Sequence, residues 1–268
     1  MAILELLLEL KEFPPAILLI EEPELYLHPS LQRHFFAVLK KLSQKGYQIF
    51  FATHSPEFTS LDDYKSIIRL NKEVSSTAKQ VKEKDLDFNK GISKFERRLK
   101  EKGNKEIFFA NKTLLLEGKG DFVTFKLLFE KYERVPNGEI IKINPDLINL
   151  VLVDCGSKDD IPNYVRLCCG LGINFFIVHD TDLDENGKQE VETKKFVEDL
   201  KKLLSEKGVE YKDCVFPFPN TLEKSMGLIS KNDSKIIALL EAKNYSQIYK
   251  DHPDLKLAMN KIVKRLNL

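Results

Sequence analysis

Apolar residues along the chain fall into short continuous runs that alternate with amphipathic stretches. In the first part, apolar runs at 16–20 and 47–53 flank a stretch at about 30–45 whose apolar positions recur with a helical spacing. Three later runs are also separated by helical stretches: 112–117, 148–154 and 173–180. Short strands that are apolar throughout and alternate with helices are typical of a parallel sheet covered on both faces. The pattern therefore predicts an α/β fold.

The same pattern divides the chain into four segments. Residues 1–71 hold the first strands and helix, and residues 111–215 hold the later ones. Residues 72–110 between them are highly charged and have few apolar positions, which predicts a linker with one amphipathic helix at about 92–101. Residues 216–268 form the last segment, and their amphipathic pattern from 220 onward predicts a helical C-terminal extension.

Composition and charge exclude several classes of protein. The 42 Lys and Arg residues balance 41 Asp and Glu residues, so any basic surface for nucleic acid must be local. No stretch approaches the roughly 18 apolar residues of a membrane span, and the N-terminus lacks the basic start and cleavage site of a signal peptide. The four cysteines do not have zinc-site spacing. We therefore expect a cytoplasmic protein with reduced thiols and no membrane partner.

Two carboxylates follow the first apolar run, and a histidine follows the second. Glu21 and Glu22 end the run at 16–20, and His54 ends the strand about 30 residues later. Ligands of parallel α/β sheets bind at the carboxyl ends of the strands. One acid there can hold Mg²⁺, a second can polarise an attacking water, and the histidine could contact a γ-phosphate. Each feature alone also has a structural explanation, because acids favour the start of a following helix and a lone histidine often has no chemical role.

Acidic residues also end the three later strands. Glu117 ends the first, Asp154 ends the second, and Asp180, Asp182 and Asp184 end the third. The strand ends share one edge of a parallel sheet, and a fully extended strand would place Asp180 and Asp182 on one face. Carboxylates packed together raise one another's pKa unless a cation neutralises them, and such ligands suit Mg²⁺ or Mn²⁺. The sequence therefore predicts a divalent-cation site, where two ions could activate water and stabilise the leaving oxygen of a phosphodiester.

Other interpretations of these acids stay open. Residues 182–187 fit the opening of a calcium loop, but its twelfth position is Thr193 instead of Glu and a strand precedes it. The acid-rich turn could also be a solvated loop, and Glu117 alone could be a capping acid at a strand end.

The first segment resembles the C-terminal half of an ABC-type ATPase of the recombination and repair branch. The resemblance rests on Glu21–Glu22, the stretch PELYLHP that follows them, and His54. It implies that Glu21 and Glu22 form a Walker B pair and that His54 is the switch histidine. No G-x-x-x-x-G-K-[ST] loop occurs, and 15 residues precede the strand. We therefore expect an N-terminally truncated or split ATPase segment that does not hydrolyse ATP alone, with ATP a cofactor only of a full-length protein.

The second segment resembles the Toprim fold, a Rossmann-like parallel sheet shared by topoisomerases, primases and nucleases. The resemblance rests on E-G-x-x-D at 117–121, the G-S-K turn at 156–158 and D-x-D at 180–182. It implies that the metal ligands are Glu117, Asp121, Asp180 and Asp182, with Glu117, Asp180 and Asp182 catalytic and Glu117 also a candidate acid–base group. Three nearby residues are secondary candidates: Ser157, Lys158 and Asp184.

Together, the two segments and the lysine-rich linker resemble the OLD (overcoming lysogenization defect) family of nucleases. The resemblance implies a homodimeric, metal-dependent DNA endonuclease of phage defence, in which Glu223 completes a second metal site. It also implies a basic residue near the C-terminus that assists cleavage, and three residues fit: Lys250, Lys256 and Lys261. Two alternatives stay open: a non-catalytic regulatory or dimerisation fragment that binds DNA or a partner, and an RNA-processing Toprim hydrolase.

Overall fold

The computed structural model describes residues 16–59, 61–72, 76–82, 104–131, 133–134, 141–142, 144–183, 187–228 and 233–268. The chain forms two compact units, Met1–Ile67 and Ile68–Leu268. The predicted helix at 92–101 lies outside the described residues. Within the described ranges, every helix is too short or too polar to serve as a membrane span.

The first unit contains two parallel strands, β1 (Ile17–Glu21) and β2 (Gln48–Ala52), which are connected through helix α1 (Pro29–Gln44). Proline is favoured in the first turn of a helix, and His28 Nδ1 accepts a hydrogen bond from the Ser30 amide, so α1 begins at Pro29. Two 3₁₀ turns follow β2: Pro56–Phe58 and Leu61–Ser66.

Helix α1 covers one face of this strand pair. Its buried Phe35 and Leu39 pack with Phe58 and with the half-buried Ile20 and Phe51. The large apolar side chains on the other face of the strands are exposed: Ile17, Leu19 and Phe50. The two apolar runs of the first segment thus form paired parallel strands, as their composition predicts.

The second unit begins with an antiparallel hairpin of β3 (Ile68–Lys72) and β4 (Ser76–Gln80). The buried Arg69 donates hydrogen bonds to Asn111 Oδ1 at 2.7 Å and to the Leu171 carbonyl oxygen at 3.4 Å. The sequence pattern assigns residues 68–71 to the first segment and 76–80 to the linker, but both strands belong to the second unit. The pattern does not predict β4 because all five of its residues are exposed.

Four parallel strands form the sheet of the second unit, in the order β10–β9–β5–β8. These strands are β5 (Lys112–Leu116), β8 (Leu150–Asp154), β9 (Asn174–Asp180) and β10 (Val215–Phe218). A two-residue antiparallel pair, β6 (Glu133–Arg134) and β7 (Ile141–Lys142), precedes β8. The sheet confirms the predicted α/β fold.

Helices and 3₁₀ turns connect and cover these strands. The described helices are α2 (Lys119–Lys131), α3 (Ile161–Leu171), α4 (Val191–Glu206), α5 (Tyr211–Cys214), α6 (Leu222–Ser225), α7 (Asp233–Glu241), α8 (Tyr245–Asp251) and α9 (Pro253–Leu266). The described 3₁₀ turns are Asn104–Phe109, Asp146–Ile148 and Lys158–Asp160.

Both faces of the sheet are covered. On one face, Leu114 and Leu116 pack in a core with Phe125 of α2 and with Met259 and Ile262 of α9. Two side chains that alternate with these along the strands are buried on the other face, where α3 contacts β5 and β9: Leu115 and Ile177. The predicted extension therefore contributes to the core of the sheet, but its first residues, 216–218, lie in strand β10 and not in a helix.

Candidate functional site

The carboxyl ends of β5 and β9 place two acidic residues side by side. Leu116 lies opposite Val178 in the register of the sheet, so Glu117 follows β5 next to the end of β9. The Asp180 amide donates a hydrogen bond of 2.9 Å to Glu117 Oε2. This hydrogen bond holds the Glu117 carboxylate at the sheet edge, next to the residue that ends β9.

Asp121 approaches the same edge from the first turn of α2. Its side chain is buried, and the Gly118 amide donates a hydrogen bond of 3.0 Å to Asp121 Oδ2. The start of a helix favours a negative side chain, because the peptide dipoles leave partial positive charge there. The stretch E-G-K-G-D therefore folds into a tight strand-to-helix connection that brings Asp121 near Glu117.

Glu223 reaches the edge from α6, the short helix that follows β10. The Leu222 amide donates a hydrogen bond of 2.9 Å to Asp180 Oδ1, which ties α6 to the end of β9. A Cβ atom placed on Gly120 would lie 3.1 Å from Glu223 Oε1, so the start of α2 closely approaches this carboxylate. A side chain at position 120 would therefore require Glu223 Oε1 to shift by a few tenths of an ångström.

Glu117, Asp121, Asp180 and Glu223 are called the four-acid cluster below. Burial raises the pKa of Asp121 well above its ordinary range, and the charges of Asp180, Glu117 and Glu223 raise it further against the opposing effect of the Gly118 amide. Two buried oxygens of the cluster, Asp121 Oδ1 and Glu223 Oε2, have no hydrogen-bond partner. A buried carboxylate oxygen without a partner is costly, so this site favours a proton or a cation.

The donor atoms of the four-acid cluster are chemically suited to Mg²⁺ or Mn²⁺, which prefer carboxylate oxygens. The two unpartnered oxygens are buried donors of this kind. In the described ranges, no three His, Cys, Asp or Glu side chains are already arranged to hold one metal ion. Glu117 and Asp180 each direct an oxygen to a backbone amide, so side-chain rotation would have to complete a coordination shell.

Asp182 makes different contacts from the four-acid cluster. Strand β9 ends at Asp180, and Asp182 has a φ of 43°, so the extended geometry that would align the two side chains is not present. The Lys158 ammonium forms an ion pair with Asp182 Oδ2, and the Thr193 hydroxyl donates a hydrogen bond of 3.1 Å to the same oxygen. The Asp182 carboxylate is thus held by Lys158 and Thr193.

The remaining candidate site residues of the second unit are two secondary candidates and three C-terminal lysines. Ser157 Oγ donates a hydrogen bond of 3.2 Å to Asp160 Oδ2, and Asp184 lies outside the described residues. Lys250 lies in α8, whereas Lys256 and Lys261 lie in α9. The Lys261 ammonium is 5.4 Å from the centroid of the Phe216 ring.

In the first unit, the strand ends bring Glu22 and His54 together. Glu21 is the last residue of β1, and Glu22 follows it with a φ of 43° while its amide donates to the Ala52 carbonyl oxygen. His54 Nε2 lies 3.9 Å from Glu22 Oε1, and both side chains are exposed. The order of residues in the sequence therefore corresponds to a spatial pair at the carboxyl ends of β1 and β2.

Glu24 organises this edge, although the sequence motifs did not indicate it. Glu24 Oε1 accepts a hydrogen bond of 2.6 Å from the His54 amide, and Glu24 Oε2 accepts one of 2.7 Å from the Thr53 hydroxyl. Burial would raise the pKa of Glu24, but these hydrogen bonds together lower it below its ordinary value. The acidic run E-E-P-E was the available signal, since a third acid follows the predicted pair.

Two further residues that position acidic side chains were not predicted either. Gly120 allows the close approach of Glu223, and Thr193 contacts both Lys158 and Asp182. The sequence signal for the close approach at Gly120 was the second glycine of E-G-K-G-D. The calcium-loop pattern that begins at Asp182 reaches Thr193 as its twelfth position, but it did not predict the hydrogen bond between the two residues.

Family models match two parts of the chain. Residues 2–60 match an "AAA domain" family, and residues 108–182 match the family described as "Overcoming lysogenization defect protein-like, TOPRIM domain". The first match falls on the unit with Glu22 and His54, and the second covers β5 through the end of β9.

Three curated proteins are similar to the chain over longer stretches. The OLD nuclease of Thermus scotoductus (strain ATCC 700910 / SA-01) is 33% identical over 224 residues, which are 78% of this chain and 40% of that protein. The Old nuclease of Escherichia phage P2 is 30% identical over 63% of this chain and 28% of its own length. Endonuclease GajA of Bacillus cereus (strain VD045) is 32% identical over 65% of this chain and 28% of its own length.

The chain therefore spans less than half the length of these relatives. Its two family matches follow one another in the order that the ATPase-type and Toprim motifs predict. With an ATPase-type segment followed by a Toprim domain of the OLD type, the chain belongs to the OLD family.

Proposed function

We propose that the chain carries the nuclease centre of a divalent-metal-dependent DNA endonuclease. The observation that carries the proposal is the four-acid cluster, in which two buried carboxylate oxygens have no hydrogen-bond partner. The names of the relatives, two OLD nucleases and one endonuclease, support the same class of reaction. The reaction is hydrolysis of a phosphodiester bond by water.

Glu117, Asp121, Asp180 and Glu223 would hold one or two Mg²⁺ or Mn²⁺ ions. Bound there, the cations would supply the Lewis acidity that attack of water on a phosphodiester requires. Burial makes the ionised carboxylates of the cluster unfavourable without a counter-charge. A bound cation would therefore stabilise the acids that hold it.

Backbone amides of the chain orient the acids, and Glu117 would transfer the proton. The Asp180 amide orients Glu117, the Gly118 amide orients Asp121, and the Leu222 amide orients Asp180. Glu117 would take up and release a proton at a carboxylate oxygen as the general acid–base group. Because all three orienting donors are backbone amides, conservative amide variants of these acids should keep the local fold.

DNA is the proposed substrate because the first unit resembles the ATPases of recombination and repair. Its exposed Glu22–His54 pair supports a role beside a nucleotide in a longer protein. We propose that this segment does not hydrolyse ATP alone, and that the active assembly is a homodimer, as the family resemblance implies.

A cleavage assay tests the proposal. Wild-type protein should nick or linearise supercoiled plasmid with Mg²⁺ or Mn²⁺ but not with EDTA, and Glu117→Gln should abolish cleavage. Asp251→Asn is a matched control, because Asp251 is an acid of α8 paired with Lys243 instead of with the cluster. Equal cleavage in EDTA would refute the metal dependence.

Matched RNA and DNA substrates decide between the substrate classes. Cleavage confined to RNA would favour the RNA-processing alternative. If Mn²⁺ raises the melting temperature but neither nucleic acid is cut, a regulatory fragment becomes the better explanation.

A further inference from the structure

Lys158 forms a compact polar group with Asp182 and Thr193. Its ammonium pairs with Asp182 Oδ2 and donates a hydrogen bond of 2.8 Å to Thr193 Oγ1. The Thr193 hydroxyl in turn donates to Asp182 Oδ2 at 3.1 Å. The exposed fractions of the Lys158 and Asp182 side chains are 14% and 24%, so solvent screens this ion pair only in part.

The ion pair lies on a loop that is connected to the four-acid cluster. Asp182 follows Asp180 of the four-acid cluster by two residues, and the Thr181 and Asp182 amides both donate to the Asn220 carbonyl oxygen. The loop after β9 is thus anchored to the segment that leads to Glu223. A largely buried carboxylate needs a counter-charge, and the Lys158 ammonium supplies it in this arrangement.

We propose that Lys158 is a positioning residue that competes with a divalent cation for Asp182. In the metal-free protein the ammonium neutralises Asp182 and occupies its carboxylate oxygen Oδ2. When a cation binds, Asp182 exchanges the ammonium for the metal ion. This inference rests on the proposed function, because it requires a cation at the cluster.

A competing ammonium and a purely structural ion pair have different effects on metal affinity. A structural ion pair would stabilise the fold, and its loss would leave metal binding unchanged or weaker. A competing ammonium weakens metal binding, so its removal should tighten it. Lys158→Met tests this, because methionine keeps an unbranched side chain of similar length without the charge.

Isothermal titration calorimetry with Mn²⁺ alone measures the effect. Lys158→Met should bind Mn²⁺ about threefold or more tightly than wild type, and the gain should disappear in Lys158→Met/Asp182→Asn. In EDTA, Lys158→Met should melt below wild type, and Mn²⁺ should raise its melting temperature by more. Lys119→Met is the control for a lost charge near the cluster, since Lys119 pairs at 2.8 Å with Asp233 and is 75% exposed.

Thr193→Val provides a second test if Lys158→Met does not fold. It keeps the ammonium but removes the hydroxyl that contacts both partners, so it should tighten Mn²⁺ binding to a smaller extent. An unchanged dissociation constant in the folded variants, persistence of the gain without Asp182, or an equal gain in Lys119→Met would overturn the competition. If wild type itself binds no Mn²⁺, the proposed metal centre fails first and the role of Lys158 fails with it.

Discussion

The Asp180 amide donates a hydrogen bond of 2.9 Å to Glu117 Oε2, which joins the ends of two neighbouring parallel strands. The hydrogen bond continues the pairing of β5 and β9 beyond the last paired residues, with a side chain in place of a backbone carbonyl. Asp180 in turn accepts from the Leu222 amide, so one chain of hydrogen bonds reaches from β5 to α6. The positions of the proposed metal ligands are therefore coupled through the backbone of β9.

Replacing Asp121 should separate stability from activity. Asp121→Asn keeps an oxygen that can accept from the Gly118 amide but cannot ionise. We expect the melting temperature in EDTA to rise, because repulsion within the four-acid cluster falls. Mn²⁺ affinity should fall by at least about tenfold, since even residues that only support metal ligands have effects of this size.

Thermal melts and calorimetry on the same preparation check both effects. Asp251→Asn should change neither quantity in this way, because Asp251 is neutralised by Lys243. A lower melting temperature in EDTA together with unchanged Mn²⁺ affinity would contradict the assignment of Asp121 to the metal centre.

Gly120 and Gly118 form a matched pair for testing the position of Glu223. A Cβ on Gly120 would lie 3.1 Å from Glu223 Oε1, whereas a Cβ on Gly118 has its nearest neighbour at 4.0 Å. Gly120→Ala should therefore displace Glu223 and lower both plasmid cleavage and Mn²⁺ affinity, with little loss of stability because alanine favours a helical turn. Gly118→Ala should keep cleavage near the wild-type rate. Equal effects of the two substitutions would show that Glu223 is not constrained at this contact.

The chain should not hydrolyse ATP by itself. Glu22 and His54 lie together, but the sequence contains no loop of the G-x-x-x-x-G-K-[ST] type, and positioning of the phosphates provides most of the catalysis in such enzymes. Phosphate release from ATP should stay at the level of a buffer blank. Turnover that Glu22→Gln eliminates would prove the expectation wrong.

The cysteines should differ in their reactivity toward a thiol reagent. Burial raises the pKa of the thiols of Cys155, Cys168 and Cys214, with Cys214 at about 12, so little thiolate forms at pH 8. Cys169 is only partly buried, although burial also raises its pKa. We expect one thiol to react before the others in the native protein, and Cys169→Ala should remove that first phase. Simultaneous reaction of all four would indicate that the second unit opens readily.

The family resemblance was predicted from the sequence because its motifs are local. Glu117 directly follows β5 and Asp180 ends β9, and a parallel sheet necessarily brings the carboxyl ends of its strands to one edge. The same reasoning applies to Glu22 and His54 in the first unit. The family matches confirm the resemblance, whereas the metal ligands remain a prediction.

Hydrophobic periodicity and the residues that follow each apolar run were therefore sufficient to predict the α/β fold, the order of the two segments and the sheet edge at which the acids lie. The approach of α6 with Glu223 to Asp180 and the contact of Asp182 with Lys158 are visible only in the folded chain. The same holds for the membership of β4 in the second unit and for the packing of α9 in its core. These features depend on a positive φ and on contacts between distant residues, and hydrophobic periodicity contains no information about either.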